Sequence, residues 1–211
     1  MKINHLVLAS TSSHRRALLN QVGISHRAMA PDVDEELIQA DNPKALAESR
    51  SVAKGLSLAY DGETFIAIAA DQVLDFQGRS YGKAEDREEA ADRLRAFAGH
   101  SHVLRSAYCL VLYTAAGSQL LKSRVENAKM TMRPLSEAEI EAYLDTKEWE
   151  GCAGGYRYEN RGMNLFGEIE GDMSTVIGLS LPALLDDLRD LGINVLLNPE
   201  GPWEYQDEEI G

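Results

Sequence analysis

Apolar positions along the chain change period from block to block, and each change marks an element. Residues 3–9 (INHLVLA) are short and nearly all apolar, the pattern of a buried first strand. With one lysine and so brief an apolar run, this stretch is expected to be a first strand and not a secretion signal. Residues 15–22 turn helical and stop at Gly23. SHRAMAPDVDEE begins as a second strand and runs into an acidic loop. Asn42 followed by Pro43 starts a helix that continues over 45–58, with proline at the first helical position. TFIAIAA, 64–70, predicts a strand buried on both faces, and DFQGRSYGK a turn between two short strands.

Asp86 caps the next helix, with Glu88 and Glu89 in its first turn and Gly99 beyond its end. Two strands, 103–114 and 118–133, flank the hairpin signal AAGS. Ser136 and Glu139 have capping-box spacing. A loop rich in glycine and aromatics, 151–163, leads into LFGEIEG, and a last helix over 181–191 stops at Gly192. The order of elements predicts an α/β fold with a large antiparallel portion. Residues 1–197 read as one domain. Residues 198–211 carry five acids and no base, and read as a solvated tail in which Trp203 and Tyr205 can dock.

Composition narrows this picture. The 211 residues are 44% hydrophobic and 26% charged, enough for one large or two small lobes around a core. No apolar run approaches the roughly 20 residues of a membrane span. Cys109 and Cys152 match neither a disulfide framework nor a metal motif, so a reducing, cytoplasmic setting is expected. The formal net charge of −13 argues against nucleic-acid binding. Screening beyond roughly 8 Å still lets a local cluster of cations hold an anion.

Such a cluster opens the first helix. Ser10, Thr11, Ser12 and Ser13 precede His14, Arg15 and Arg16. Solvated arginines behind a hydroxyl cap are the plain reading. Cations are nonetheless unfavourable at a helix N-terminus, where the macrodipole is positive, unless a polyanion sits there. Phosphate is the natural candidate, although the spacing is not that of a P-loop. Asp71 directly follows the 64–70 strand, where a carboxylate can orient a metal, take a proton from water, or simply accept hydrogen bonds. Asp34, Glu35 and Glu36 form either a solvated loop or oxygen ligands. Lys54 and Lys83, each alone, read as surface residues.

Taken together, LASTSSHRRALL, APDVDEE, VAKGLSLA, AADQV, GKAEDREEA, LRAFAGHSH, TMRPLSEAEIEAYL, GGYRYENRGMNLF and IEGDMSTVIGLSLPAL resemble the Maf family of nucleoside triphosphate pyrophosphatases over nearly all of residues 3–193. The resemblance implies an elongated mixed α/β fold, similar to inosine triphosphate pyrophosphatases, with two lobes around a cleft. It implies that Asp71 activates water for attack on an α-phosphate, releasing a nucleoside monophosphate and pyrophosphate. Ser10, Arg15 and Arg16 would hold the triphosphate, with Lys54 and Lys83 closing on it. Glu35 and Asp71 would bind a divalent cation, Mg²⁺ or Mn²⁺. The expected partner is a small nucleoside triphosphate, with no nucleic acid or membrane. A homodimer is implied only at the level of the family.

The positions linked to base choice correspond to His14, Gln72 and Glu159. ADQV, YEN and the CAG of 152–154 resemble the branch acting on 7-methyl-GTP. The dTTP/UTP branch usually has threonine at Gln72 and glutamine at Glu159. A carboxylate at Glu159 can accept from two donors on the guanine edge, and a methylated, cationic guanine strengthens that pairing. The chain departs from the family in four places. Ser13 and Ala84 stand where proline is usual, Asn160 where glycine is usual, and His14 where the methyl-GTP branch often has a stacking tryptophan. The expected function is hydrolysis of a modified triphosphate, best fitting 7-methyl-GTP. A dTTP/UTP pyrophosphatase and a non-catalytic nucleotide-binding regulator of cell division are the alternatives.

Overall fold

The computed structural model describes residues 1–205. In chain order the elements are β1 (Lys2–Ile3), β2 (His5–Ala9), α1 (Ser13–Gln21), β3 (Arg27–Met29), α2 (Pro43–Leu56), β4 (Phe65–Phe76), β5 (Arg79–Tyr81) and α3 (Arg87–Phe97). There follow β6 (Ser101–Thr114), β7 (Gly117–Met132), α4 (Glu137–Leu144), β8 (Phe166–Glu170), α5 (Met173–Ile177), α6 (Leu181–Asp190) and β9 (Trp203–Glu204). Short 3-10 turns cover Glu35–Leu37 and Arg161–Leu165. The expected caps form: Asn42, Asp86 and Ser136 each accept a backbone N–H at the start of α2, α3 and α4, and Glu139 completes the capping box.

Seven strands make one mixed sheet, ordered β3-β2-β4-β6-β7-β8, with β5 paired to β4. β3, β2 and β4 run parallel; the remaining pairs are antiparallel. Residue parity sorts the apolar run of β4 between two cores. Ile66, Ile68 and Ala70 join Leu6 and Leu8 beneath Leu18 and Leu19 of α1 and Leu184 and Leu188 of α6. Phe65, Ala67 and Ala69 join Val7 and Ala9 on the opposite face, with Leu58 and, half-buried, Val52 from α2. All six residues of 65–70 are fully buried, which is why no polar position interrupts the run. A second large core gathers Leu74 and Phe76 with Leu94 and Phe97 of α3 and Ile140 and Leu144 of α4. These cores make two lobes, and a cleft opens between them.

Three expectations need correction. β4 does not end before Asp71. It loses its parallel partner after Ala69, opposite Ala9, but its antiparallel pairing with β6 carries it on through Asp75. The first strand is two pieces: β1 belongs to a separate pair with β9, so the chain changes sheets at Asn4. The C-terminal segment is not a solvated tail as far as Tyr205. Trp203 and Tyr205 are buried, Trp203 pairs with Ile3, and both join the core of the first lobe. Residues 206–211 of the expected tail lie outside the described residues. The helix α5 has no counterpart in the sequence reading, because five residues are too few to show a helical period.

Helix α2 lies unusually close to the sheet. A Cβ at Gly55 would stand 2.6 Å from Cys109 Sγ and 2.9 Å from Val111 Cγ2. Tyr113 Oη donates to Gly55 O at 2.8 Å and accepts from Leu58 N at 3.1 Å, and Cys109 Sγ donates to Ser51 O at 3.2 Å. This approach carries the neighbouring Lys54 down to β4. Gly55→Ala overpacks the contact and is expected to destabilise the fold by about 1–3 kcal/mol. Urea denaturation checks this; a midpoint equal to that of the parent would show that α2 has room to lift.

Candidate active site

The cleft lies where β2 ends and β4 continues alone beside β6, at the carboxyl ends of the parallel strands. Its volume is about 1270 Å³, larger than most small-molecule pockets and ample for a nucleoside triphosphate. Because β4 alternates its side chains, Asp71 faces α2, like Ala69, whereas Gln72 faces α1, like Ala70. Both line the cleft.

On the α2 side, Lys54 Nζ lies 2.6 Å from Asp71 Oδ1 and 2.8 Å from Glu35 Oε2. Lys54 and Asp71 are both buried. Asp71 Oδ2 is buried too and has no hydrogen-bond partner among the described residues. Burial pushes the Asp71 carboxyl above its ordinary value; Lys54 and Arg15 pull the other way without cancelling it, and Glu35 adds to the rise. Burial also acts upward on Glu35, but there the hydrogen bond and charge of Lys54, with Arg50 and Arg15, prevail, and its pKa is lowered. One lysine thus serves two carboxylates whose environments separate them. Glu35 stays an anion, and Asp71 is the more basic oxygen donor.

On the α1 side, Ser12 caps the helix by accepting from Arg15 N. Arg15 turns into the cleft, donating through Nε to Gly178 O at 3.1 Å and through Nη1 to Ser10 Oγ at 3.5 Å. Burial lowers the Arg15 pKa, against the pull of Asp71 and Glu35. Gln72 Nε2 donates to the carbonyls of Thr175 and Val176 at 2.9 and 3.2 Å. Its amide nitrogen is therefore committed to α5. The opposite wall carries Lys83, exposed, whose backbone bridges to Ala153. Also lining the cleft, His14 Nε2 meets Glu159 Oε1 at 3.4 Å, and Arg157 Nε stands 4.0 Å from the same oxygen.

Ser10, Arg15, Glu35, Lys54, Asp71, Gln72, Lys83, His14 and Glu159 therefore share one cleft, as expected. Arg16 does not. It is exposed on α1 and absent from the walls. The successive residues Ser13, His14 and Arg15 of α1 line the cleft, and the next residue, Arg16, is turned away from it. Two further cations line the cleft without having been anticipated. Arg50 donates to Glu35 O at 3.1 Å, and its i, i+4 spacing from Lys54 was the available signal. Arg157 comes from the 151–163 loop, where nothing in the local pattern singles it out. Outside the cleft, His5, Asp61 and Glu63 form a cluster of potential metal ligands, but Arg27 already pairs with both carboxylates.

The fold and cleft define a mixed α/β protein with a large polar cleft in which a buried lysine pairs with two carboxylates. The Maf-like protein family matches residues 5–191, and the chain belongs to the Maf family. It is 36% identical over 203 residues to a nucleoside triphosphate pyrophosphatase of Gluconobacter oxydans, covering 89% of this chain and 95% of the relative. It is 36% identical to a 7-methyl-GTP pyrophosphatase of Rhizobium meliloti, covering 89% and 96%. It is also 36% identical to a dTTP/UTP pyrophosphatase of Pelotomaculum thermopropionicum, covering 92% and 100%.

The raised Asp71 pKa has a defined consequence for stability. A carboxyl whose folded pKa exceeds its unfolded one costs stability while ionised, and the cost is relieved as pH falls through the folded value. Relative to Asp71→Asn, the parent should therefore gain stability between pH 7 and the ordinary carboxylate range. Urea midpoints for both proteins across that range check the sign; a parent that loses ground to the variant on acidification would show a depressed pKa instead.

Proposed function

We propose that the protein hydrolyses a nucleoside triphosphate to the monophosphate and pyrophosphate, and that 7-methyl-GTP is its preferred substrate. The observation that carries the reaction is the buried, unpartnered Oδ2 of Asp71, whose other oxygen is fixed by Lys54. In this reading Asp71 takes a proton from water at Oδ2. The water oxygen bonds to the α-phosphorus, the bond to the bridging α–β oxygen breaks, and pyrophosphate leaves with its electron pair. Lys54 holds Asp71 in place and offsets its charge. Arg15 and Ser10 bind phosphate oxygens at the head of α1, and Lys83 approaches from the facing wall. Arg16, exposed and outside the cleft lining, is given no role in this reading.

Lys54 pairs with one oxygen of Glu35 and one of Asp71 and leaves each carboxylate its second oxygen, a hard donor, and Mg²⁺ needs only one or two carboxylates besides substrate phosphates. Glu35 and Asp71 would hold a divalent cation through those oxygens, in which case Asp71 Oδ2 would serve the cation and the attacking water together. Bound there, it would neutralise phosphate charge.

Substrate choice rests on Glu159. Its half-buried carboxylate lines the cleft with His14 Nε2 3.4 Å and Arg157 Nε 4.0 Å from one oxygen. The carboxylate suits the N1–H and 2-amino donors of guanine, and a positive 7-methylated ring strengthens the pairing. Gln72 contributes less directly than the resemblance implies, because its amide nitrogen is engaged by α5.

Pyrophosphate release from 7-methyl-GTP, GTP, UTP and dTTP, with Mg²⁺ or Mn²⁺ and with chelator, tests this reading. Turnover should require the cation and favour 7-methyl-GTP. Asp71→Asn should lower turnover by roughly 10²–10⁴-fold while a non-hydrolysable analogue still binds. A near-parental Asp71→Asn rate removes Asp71 from the mechanism. Glu159→Gln places a donor beside the base's own donors, an unpaired contact worth about 1–3 kcal/mol. It should therefore depress kcat/KM for 7-methyl-GTP far more than for UTP or dTTP. An equal loss on all four, or a parental preference for UTP or dTTP, favours the pyrimidine alternative.

A further inference from the structure

We propose that Asp172 is a positioning residue for the reaction, fixing the guanidinium of Arg15 through the turn that it ties together. The proposal rests on the reading of Arg15 as a phosphate ligand. Asp172 touches neither Arg15 nor Gln72. Its carboxylate accepts hydrogen bonds from Ser174 Oγ, Thr175 Oγ1 and Thr175 N, and from Ser180 Oγ at 3.2 Å. Three donors sit in the first turn of α5 and the fourth on Ser180, the N-cap residue of α6, so one carboxylate closes the segment from 174 to 180. Ser174 Oγ in turn accepts from Leu181 N at 2.8 Å, locking the segment to the start of α6.

The acceptors that this segment offers to Arg15 and Gln72 are three backbone carbonyls. Thr175 O and Val176 O take the two hydrogen bonds of Gln72, and Gly178 O takes that of Arg15 Nε. Gly178 has φ 119°, a conformation that glycine alone adopts readily and that aims its carbonyl at α1. A Cβ there would lie 3.7 Å from Arg15 Nε and Nη2 and 3.9 Å from Gln72 Cδ, so the turn packs directly on both side chains. Burial acts to raise the Asp172 pKa, but the hydroxyl and backbone hydrogen bonds outweigh it and lower it, in keeping with an ionised carboxylate serving four donors.

A carboxylate that merely capped α5 would give a different result from one that places Arg15. Asn caps a helix as well as Asp does, but it loses the charge and one acceptor oxygen. The test is a double-mutant cycle with Asp172→Asn and Arg15→Lys, reading kcat and KM for the four triphosphates alongside the melting temperature. Asp172→Asn should lose between about 10- and 100-fold in kcat/KM on every base, with the base ranking kept. The double variant should be no slower than Arg15→Lys alone within about two-fold, because both changes remove one interaction. Losses that multiply, or an Asp172→Asn enzyme with parental kinetics beside an impaired Arg15→Lys, overturn the positioning role alone. An Arg15→Lys enzyme with parental kinetics overturns the phosphate reading and the positioning role with it. Should Asp172→Asn fail to fold, Thr175→Val removes one of the four donors at nearly constant shape. It should then reproduce a smaller loss with the same dependence on Arg15, and multiplicative losses would again overturn the proposal.

Discussion

A lysine ammonium buried between two carboxylates is the constraint around which the rest of this protein is arranged. Lys54 reaches Asp71 and Glu35 at 2.6 and 2.8 Å, and it can do so only because α2 rides against the sheet at Gly55. Taking an ammonium and a carboxylate out of water is expensive, and a buried pair seldom adds net stability. Removing Lys54 would leave Asp71 buried without its nearest cation, whereas removing either carboxylate leaves the lysine the other. The pair is thus better understood as holding Asp71 in place for chemistry than as holding the fold together. Its electrostatic asymmetry follows from depth: Asp71 is buried with one oxygen unpartnered, whereas Glu35 is half-exposed and gains Arg50 as a further cation.

The sheet makes that arrangement possible by a single topological change. β4 leaves its parallel partner β2 at Ala69 yet stays paired with β6, so Asp71 and Gln72 sit on a rigid strand rather than a loop. Successive residues then face opposite sides of the sheet. One is served by α2 and the other by α5, and the head of α1 lies against the same edge with Ser10 and Arg15. The second lobe contributes the facing wall through Lys83 and the 151–163 loop. Arg15, Arg50, Lys54, Lys83 and Arg157 thereby line one cleft together with carboxylates that include Glu35, Asp71 and Glu159, in a chain of net charge −13.

Much of this was legible in the sequence, for identifiable reasons. The apolar run at 64–70 announced a doubly buried strand because both faces are covered, and the caps at Asn42, Asp86 and Ser136 marked helix starts that the structure contains. Asp71 was found as a carboxylate at the end of that run. Its true setting, mid-strand, was hidden because only one of its two neighbouring strands stops there. Arg15 and Arg16 look alike in sequence, and only their placement in the fold separates them. The commitment of Gln72 to α5 depends on contacts between residues up to 104 positions apart, which no local pattern encodes. The closure of that turn by Asp172 is local, spanning two to eight positions, but the helix it caps is too short to show a period. The docking of Trp203 and Tyr205 was a bare possibility in an acidic segment until β1 supplied the partner strand.

The central claim is that Asp71 is a desolvated carboxylate whose ionisation depends on Lys54. The most direct measurement is a carbon-13 NMR titration of the Asp71 carboxyl in the free protein and in Lys54→Met, assigned by comparison with Asp71→Asn. The account predicts a pKa above the ordinary aspartate value in the parent and a further rise when the ammonium is removed. A parental pKa at or below the ordinary value, or one that Lys54→Met leaves in place, would contradict it.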